Sequence, residues 1–108
     1  MPQGEIQWKL ERSDGFKEDY RLKTSDVQSE LNEALRLMNK SGPIHPSLNS
    51  HKVFDARGRL FKEDGKQIWE SYVTGRHRIT WKYKADRVIF LRSTNGHEIL
   101  PRLGGRNV

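Results

Sequence analysis

The sequence predicts an α+β domain: a twisted, mostly antiparallel sheet of about four strands with one main helix, and room for a second short one, packed on one face. Three observations lead there. Between Gln67 and Leu100 lie three strand-like runs, Ile68 to Thr74, Arg76 to Lys84 and Arg87 to Thr94, rich in β-branched and aromatic residues and joined by short turns at Thr74-Gly75 and Ala85-Asp86. Between Ser25 and Ser41 a single apolar stripe recurs at helical spacing. Near the amino terminus, Ile6, Trp8 and Leu10 alternate with polar residues as in a strand with one covered face.

In chain order, Glu5 to Arg12 reads as the first, amphipathic strand near a sheet edge, and Ser13-Asp14-Gly15 closes it as a turn. From Phe16 to Thr24 the spacing fits both a helical turn (Phe16, Tyr20, Lys23) and a strand (Tyr20, Leu22), and an extended or bent connection is preferred. Ser25-Asp26-Val27-Gln28 has the form of a capping box, so a helix starts there. Val27, Leu31, Ala34, Leu35 and Met38 form its core stripe, and Gly42-Pro43 ends it. Pro43 to Ser50 reads as a loop, Lys52-Val53-Phe54 as a short extended piece, Asp55 to Arg59 as a turn, and Lys62 to Lys66 as a second, charged turn. Within the middle strand of the meander, Ile79, Trp81 and Tyr83 alternate with Arg78, Thr80, Lys82 and Lys84. One face therefore packs, Trp81 included, and the opposite concave face is expected to be basic. Val88-Ile89-Phe90-Leu91 is apolar on both sides, as in a strand covered at least partly on both faces. Residues 1–100 form one domain and Pro101 to Val108 a tail.

Composition narrows the chemistry. In 108 residues the hydrophobic fraction is 33% and the mean hydropathy −0.90, so the core is thin and carried by three Trp, three Tyr and four Phe. There is no cysteine, which excludes disulfides and thiolate metal sites. No run approaches the ~20 apolar residues of a membrane span, and the amino terminus lacks a signal-peptide pattern, so a cytoplasmic protein with no membrane partner is expected. Residues 1–50 hold seven Lys/Arg against eight Asp/Glu (−1), whereas 51–108 hold thirteen against six (+7). That asymmetry points to a polyanionic partner, nucleic acid before an acidic protein.

Histidines at 45, 51, 77 and 97 fall mostly in or beside the basic half. Neighbouring cations disfavour protonation of an imidazole and leave neutral ring able to act as a base. RNA cleavage by its own 2′-hydroxyl needs such a base, cations around the pentavalent phosphate, and an acid at the leaving 5′-oxygen. His51, His77 and His97 with Arg78, Lys82 and Arg92 supply those residue types. Metal chemistry is the weaker reading: there is no HxH or HExxH spacing, and Asp55 and Glu98 form no ligand pattern with the histidines. No phosphate-binding glycine loop and no nucleophile elbow occur either.

His77-Arg78-Ile79-Thr80-Trp81-Lys82-Tyr83, then Asp86 to Arg92, then Thr94-Asn95-Gly96-His97 resembles the carboxy-terminal half of the RelE/YoeB/YafQ superfamily of toxin mRNA interferases. Members show a W..Y segment, matched by Trp69 to Tyr72, an (H/Y)RI.Y strand, matched at Arg78, a hydrophobic strand, and a terminal His or Arg, matched by His97. His51 corresponds to a further histidine used by the YafQ-like branch. The resemblance spans about residues 44–100; family members usually present two helices after the first strand. It implies a metal-independent endoribonuclease of a type II toxin–antitoxin pair, acting on mRNA at the ribosome, with no cofactor and with an acidic antitoxin as partner. His97 would be the acid, His51 or His77 the base, and Arg78, Lys82 and Arg92 the phosphate clamp, with Arg76 and Lys84 as further RNA contacts and Tyr72 stacking bases. The fold also occurs in members without nuclease activity, such as the gyrase-directed ParE branch. A non-catalytic RNA- or ribosome-binding module, an inactive toxin-like protein, or a domain recognising an acidic protein would use the same cationic face.

Overall fold

The computed structural model describes residues 7–74 and 76–96, with only the backbone for 95 and 96. His97, Glu98, Ile6, Gly75 and the expected tail from Pro101 lie outside the described residues. The elements run β1 (Lys9–Arg12), α1 (Asp14–Arg21), α2 (Ser25–Ser41), a 3-10 turn (Pro46–Leu48), β2 (His51–Lys52), β3 (Lys62–Glu63), β4 (Lys66–Gln67), β5 (Trp69–Tyr72), β6 (His77–Ala85) and β7 (Val88–Gly96). The main sheet has five strands in the order β1-β7-β6-β5-β2, and β3-β4 is a separate hairpin. All neighbours in the main sheet are antiparallel except β1, which lies parallel to β7 at an edge, Lys9 opposite Val88 and Arg12 opposite Leu91.

Two local readings change. The segment after β1 is a helix rather than an extended connection, because Ser13 is a cap and not merely a turn residue: its Oγ accepts the Phe16 N–H at 3.0 Å, with Asp14 in the first turn and Arg21 in the last. The ends of α1 are tied to β7, Ser13 Oγ donating to Arg92 O at 2.9 Å and Asp19 Oδ2 accepting the Thr94 N–H at 3.0 Å. At α2 the cap is Thr24, one residue before the serine of the expected capping box; its Oγ1 accepts from Val27 N. Gln28 does not reach back to the cap but donates to Tyr20 O at 2.8 Å, joining the two helices.

Both helices cover one face of the sheet. Phe16 of α1 and Leu31, Ala34, Leu35 and Met38 of α2 pack with Ile79, Trp81, Ile89 and Leu91, all buried. Trp69 and Trp81, directly paired on β5 and β6, stack at 5.4 Å with 11° between rings, which adds about 0.5 to 1.5 kcal/mol beyond area burial. The indole N–H of Trp81 donates to Ser71 Oγ at 2.8 Å, and Ser71 in turn meets Ser50, which donates to Pro43 O. A buried polar tip is thereby satisfied, and the loop after α2 is fastened to the sheet. Lys52 is on the edge strand β2, and the charged turn expected at Lys62 to Lys66 is the β3-β4 hairpin.

Gly42 caps α2 with its N–H on Met38 O at 2.8 Å, at φ 90° and ψ 164°, and an added Cβ would stand 2.8 Å from the Trp8 ring. Gly42→Ala is expected to cost at least about 1 to 3 kcal/mol, from a backbone region that only glycine adopts cheaply. Thermal unfolding should show a fall of several degrees in Tm, while Gly58→Ala, with open space around it, should cost less.

A candidate functional site on the open sheet face

The sheet face opposite the helices gathers most of the expected site residues. On β5, alternation sends Trp69 and Ser71 to the core and Glu70 and Tyr72 to the open face; on β6 it sends Arg78, Thr80 and Lys82 there. Tyr72 pairs with Arg78, whose guanidinium lies 3.8 Å from the Tyr72 ring centroid and donates to Thr74 O at 3.1 Å. His51 of β2 pairs with Glu70 of β5, and its Nε2 is 2.8 Å from Glu70 Oε1. The His51 ring also sits edge-on to Tyr72 at 5.4 Å. Arg78, Tyr72, His51 and Glu70 thus form one connected cluster.

Next to it stands Arg92, at an irregularity in β7. Thr80 pairs with Ser93 but Trp81 pairs with Leu91, so Arg92 is an extra residue between two otherwise regular pairs. Leu91 pairs with Trp81 on the core side, so alternation already turns Arg92 to the open face; the extra residue brings Ser93, which would otherwise turn inward, to that face as well and returns Thr94 to the core. There Arg92 Nη1 donates to Thr80 Oγ1 at 2.9 Å, and the Ser93 hydroxyl reaches the same oxygen.

His77 stands apart. Its position in β6 shares a face with Ile79 and Trp81, opposite to Arg78, so the structure does not bring it together with His51. Arg76 is exposed in the β5-β6 turn, its N–H on Thr74 Oγ1. Lys82 and Lys84 lie further along the open face, Lys82 with its ammonium 5.3 Å from the Phe90 ring centroid.

The uniformly basic face expected from the alternation of β6 is instead a face of paired charges, because other elements deliver carboxylates to it. Glu63 on the β3-β4 hairpin grips Arg92 in a two-pronged contact, Nε to Oε1 at 2.8 Å and Nη2 to Oε2 at 2.6 Å. Asp64 lies 3.7 Å from Lys82, and Glu11 of β1 is 2.6 Å from Lys84. Glu63, Glu70 and Thr80 are therefore central residues that sequence reasoning passed over. Glu70 carried a readable signal, an acidic residue inside an otherwise apolar and aromatic strand, on the same side as Tyr72.

Chemically, His51 is the most informative group. Its Nε2 faces the carboxylate of Glu70, whose side chain is 2% exposed, and its Nδ1 is 3.2 Å from Asn49 O. Both partners are acceptors. A neutral ring can donate to only one of them, and which one depends on its tautomer. Glu63 is held below its ordinary carboxyl value first by its hydrogen bonds to Arg92, against a smaller opposing effect of burial. A depressed folded-state value gives stabilisation that is present above the ordinary value and is lost as pH falls through the folded one. Glu63→Gln should accordingly lower stability at pH 7 and cease to differ from the parent in strong acid, as denaturant midpoints across pH 2 to 7 would show.

No protein-family model and no curated protein matches this sequence. Solved structures do. Archaeal RelE in its complex with RelB from Pyrococcus horikoshii OT3 superimposes with a TM-score of 0.63 at 6% identity, covering 84% of this chain and 96% of that one. The YoeB dimer from Staphylococcus aureus gives 0.61 at 17% identity, over 85% and 99%. YafQ in the E. coli DinJ-YafQ toxin–antitoxin complex gives 0.62 at 17% identity, over 88% and 98%. At such identities the likeness is one of architecture, and on it the chain has the fold of the RelE, YoeB and YafQ toxins.

Proposed function

We propose that this chain is the toxin of a type II toxin–antitoxin pair and cleaves mRNA, on the ribosome, without a metal ion. The observation that carries the reading is the His51-Glu70 pair, an imidazole on an open sheet face backed by a buried carboxylate and bordered by Tyr72, Arg78 and Arg92. The toxin fold of the neighbours, two of them solved as complexes with RelB and DinJ, supports the class of function and a protein antitoxin as partner. The +7 charge of residues 51–108 suits both an RNA substrate and an acidic antitoxin.

In this mechanism Nδ1 of His51 takes the proton of the 2′-hydroxyl once that hydroxyl has replaced the Asn49 carbonyl beside it. The 2′-oxygen attacks phosphorus, and the 5′-oxygen leaves with a proton from an acid, for which His97 is the candidate on sequence grounds. The products are a 2′,3′-cyclic phosphate and a free 5′-hydroxyl. Glu70 holds the imidazole in the tautomer that leaves Nδ1 basic and then faces the imidazolium that results, the division of labour of a His-carboxylate pair. Arg92 and Lys82 would supply the cations that face the phosphate, and Tyr72 a ring for a base. His77 has no part in it.

The rival reading is a binder of RNA or of the ribosome without chemistry. Its support against the enzyme is that the cations a pentavalent phosphate needs are already engaged, Arg78 at 6% exposure on the Thr74 carbonyl and Lys82, Lys84 and Arg92 in ion pairs. His51→Gln separates the two. The folded variant should keep RNA affinity within a few-fold and cleave ribosome-bound mRNA about 10² to 10⁴ slower, with the parent undiminished in EDTA. If the parent leaves RNA intact both on the ribosome and off it, the binder replaces the enzyme; if His51→Gln cleaves as fast as the parent, the dyad assignment falls.

A further inference from the structure

The β3-β4 hairpin is a feature that the proposed chemistry leaves unused. Its register pairs Lys62 with Gln67 and Glu63 with Lys66 around a two-residue turn, in which Asp64 has φ 52° and Gly65 φ 78°. Two consecutive positive φ values at Asp-Gly make a tight hairpin turn whose twist suits its strands. The base of the hairpin is pinned. Gln67 Nε2 donates to the carbonyls of Val53, Phe61 and Ile68, at 3.1, 3.1 and 2.9 Å, and Phe61 and Ile68 make backbone bonds beside it. Its tip reaches the main sheet through acidic side chains: Glu63 to Arg92 and Asp64 to Lys82.

Both carboxylates of the tip thus sit on the cations best placed to meet a phosphate. A carboxylate fork on an arginine uses the same two N–H donors, at the same spacing, that an arginine offers to two phosphate oxygens. Beside it lies a cleft of about 250 Å³, lined by Lys66, Lys82, Lys84, Asp64 and the ring of Phe90, in which Asp64 is the acidic member among three lysines. Arg92 is only 15% exposed and Lys82 13% while the hairpin is down. A phosphodiester cannot take the Nε/Nη2 edge of Arg92 without displacing Glu63, and at Lys82 it meets the charge of Asp64 3.7 Å away.

We propose that the β3-β4 hairpin is an internal phosphate mimic, a self-inhibiting flap whose Glu63 and Asp64 hold Arg92 and Lys82 until a nucleic-acid backbone displaces them. The identification of the displacing ligand as RNA rests on the function proposed above; the competition between carboxylate and phosphate does not. Binding to the open form is weakened by the fraction of molecules in which the hairpin is down, so weakening the flap strengthens binding. A brace for Arg92 would behave in the opposite way, since losing Glu63 would then disorder the guanidinium and weaken any anion contact.

Glu63→Gln keeps the shape of the side chain and removes its charge, and Asp64→Asn does the same beside Lys82. The test follows the Arg92 Nε–H and Lys82 side-chain NMR signals during titration with inorganic phosphate and, separately, with a single-stranded oligoribonucleotide. Unchanged backbone signals elsewhere report the fold. Expected is an apparent affinity about three- to tenfold tighter for both ligands in Glu63→Gln, read at Arg92, and a smaller gain in Asp64→Asn, read at Lys82. Equal or weaker phosphate affinity at Arg92 in Glu63→Gln overturns the flap, as does a parent and variant that both leave the Arg92 signal unmoved. Tighter phosphate binding with no response to RNA in either protein upholds the flap and removes RNA as its ligand.

Discussion

The pairing of β6 with β7 is the constraint on which the rest of the molecule depends. These two strands of nine residues each must serve a dry face and a polar face at once. On the dry side Ile79, Trp81, Ile89 and Leu91 close against the helices; on the wet side Thr80, Lys82, Ser93 and Arg92 stand among carboxylates. A regular antiparallel pair would divide its residues strictly by twos. The extra residue at Arg92 breaks that division in one place, and with it Ser93, which counting from Leu91 would assign to the core, joins Arg92 beside Thr80. Helices, edge strands and hairpin all attach to this pair or to its immediate neighbours.

Much of this was legible in the sequence, for physical reasons that differ by element. The meander and α2 announce themselves because each must bury one face: Ile79, Trp81 and Tyr83 at a spacing of two, Leu31, Ala34, Leu35 and Met38 at helical spacing. The helix α1 is harder to see. Its eight residues bury Phe16 alone, and most of what fixes it is tertiary: Ser13 and Asp19 hydrogen-bonded to β7, seventy-five or more residues away in the chain. The cation positions at Arg78, Lys82, Lys84 and Arg92 follow from residue type, but their ion pairs do not, since Glu11, Glu63 and Asp64 come from other segments. His97, central to the expected chemistry, belongs to the residues not described.

Electrostatically the open face behaves less as a positive patch than as a row of charges already answered. Arg78 rests on Tyr72, His51 on Glu70, Arg92 on Glu63, Lys82 near Asp64 and Lys84 on Glu11. Partly exposed ion pairs such as Lys84 with Glu11 contribute little to stability. Their larger effect is on what approaches, because a polyanion must exchange one set of partners for another and gains only the difference. Net charge alone would therefore overstate the attraction of this face for RNA.

The parallel placement of β1 beside β7 carries a consequence for how the molecule comes into being. Lys9 to Arg12 pair with Val88 to Leu91, so the earliest strand of the chain has no sheet to join until the latest one exists. During synthesis β1, α1 and α2 emerge with their apolar residues, Phe16, Leu31 and Met38 among them, facing no partner strand. The contacts that bury them span most of the sequence, which is the pattern of slow, late closure. While the carboxy-terminal strands are still unmade, neither the core nor the polar face can exist.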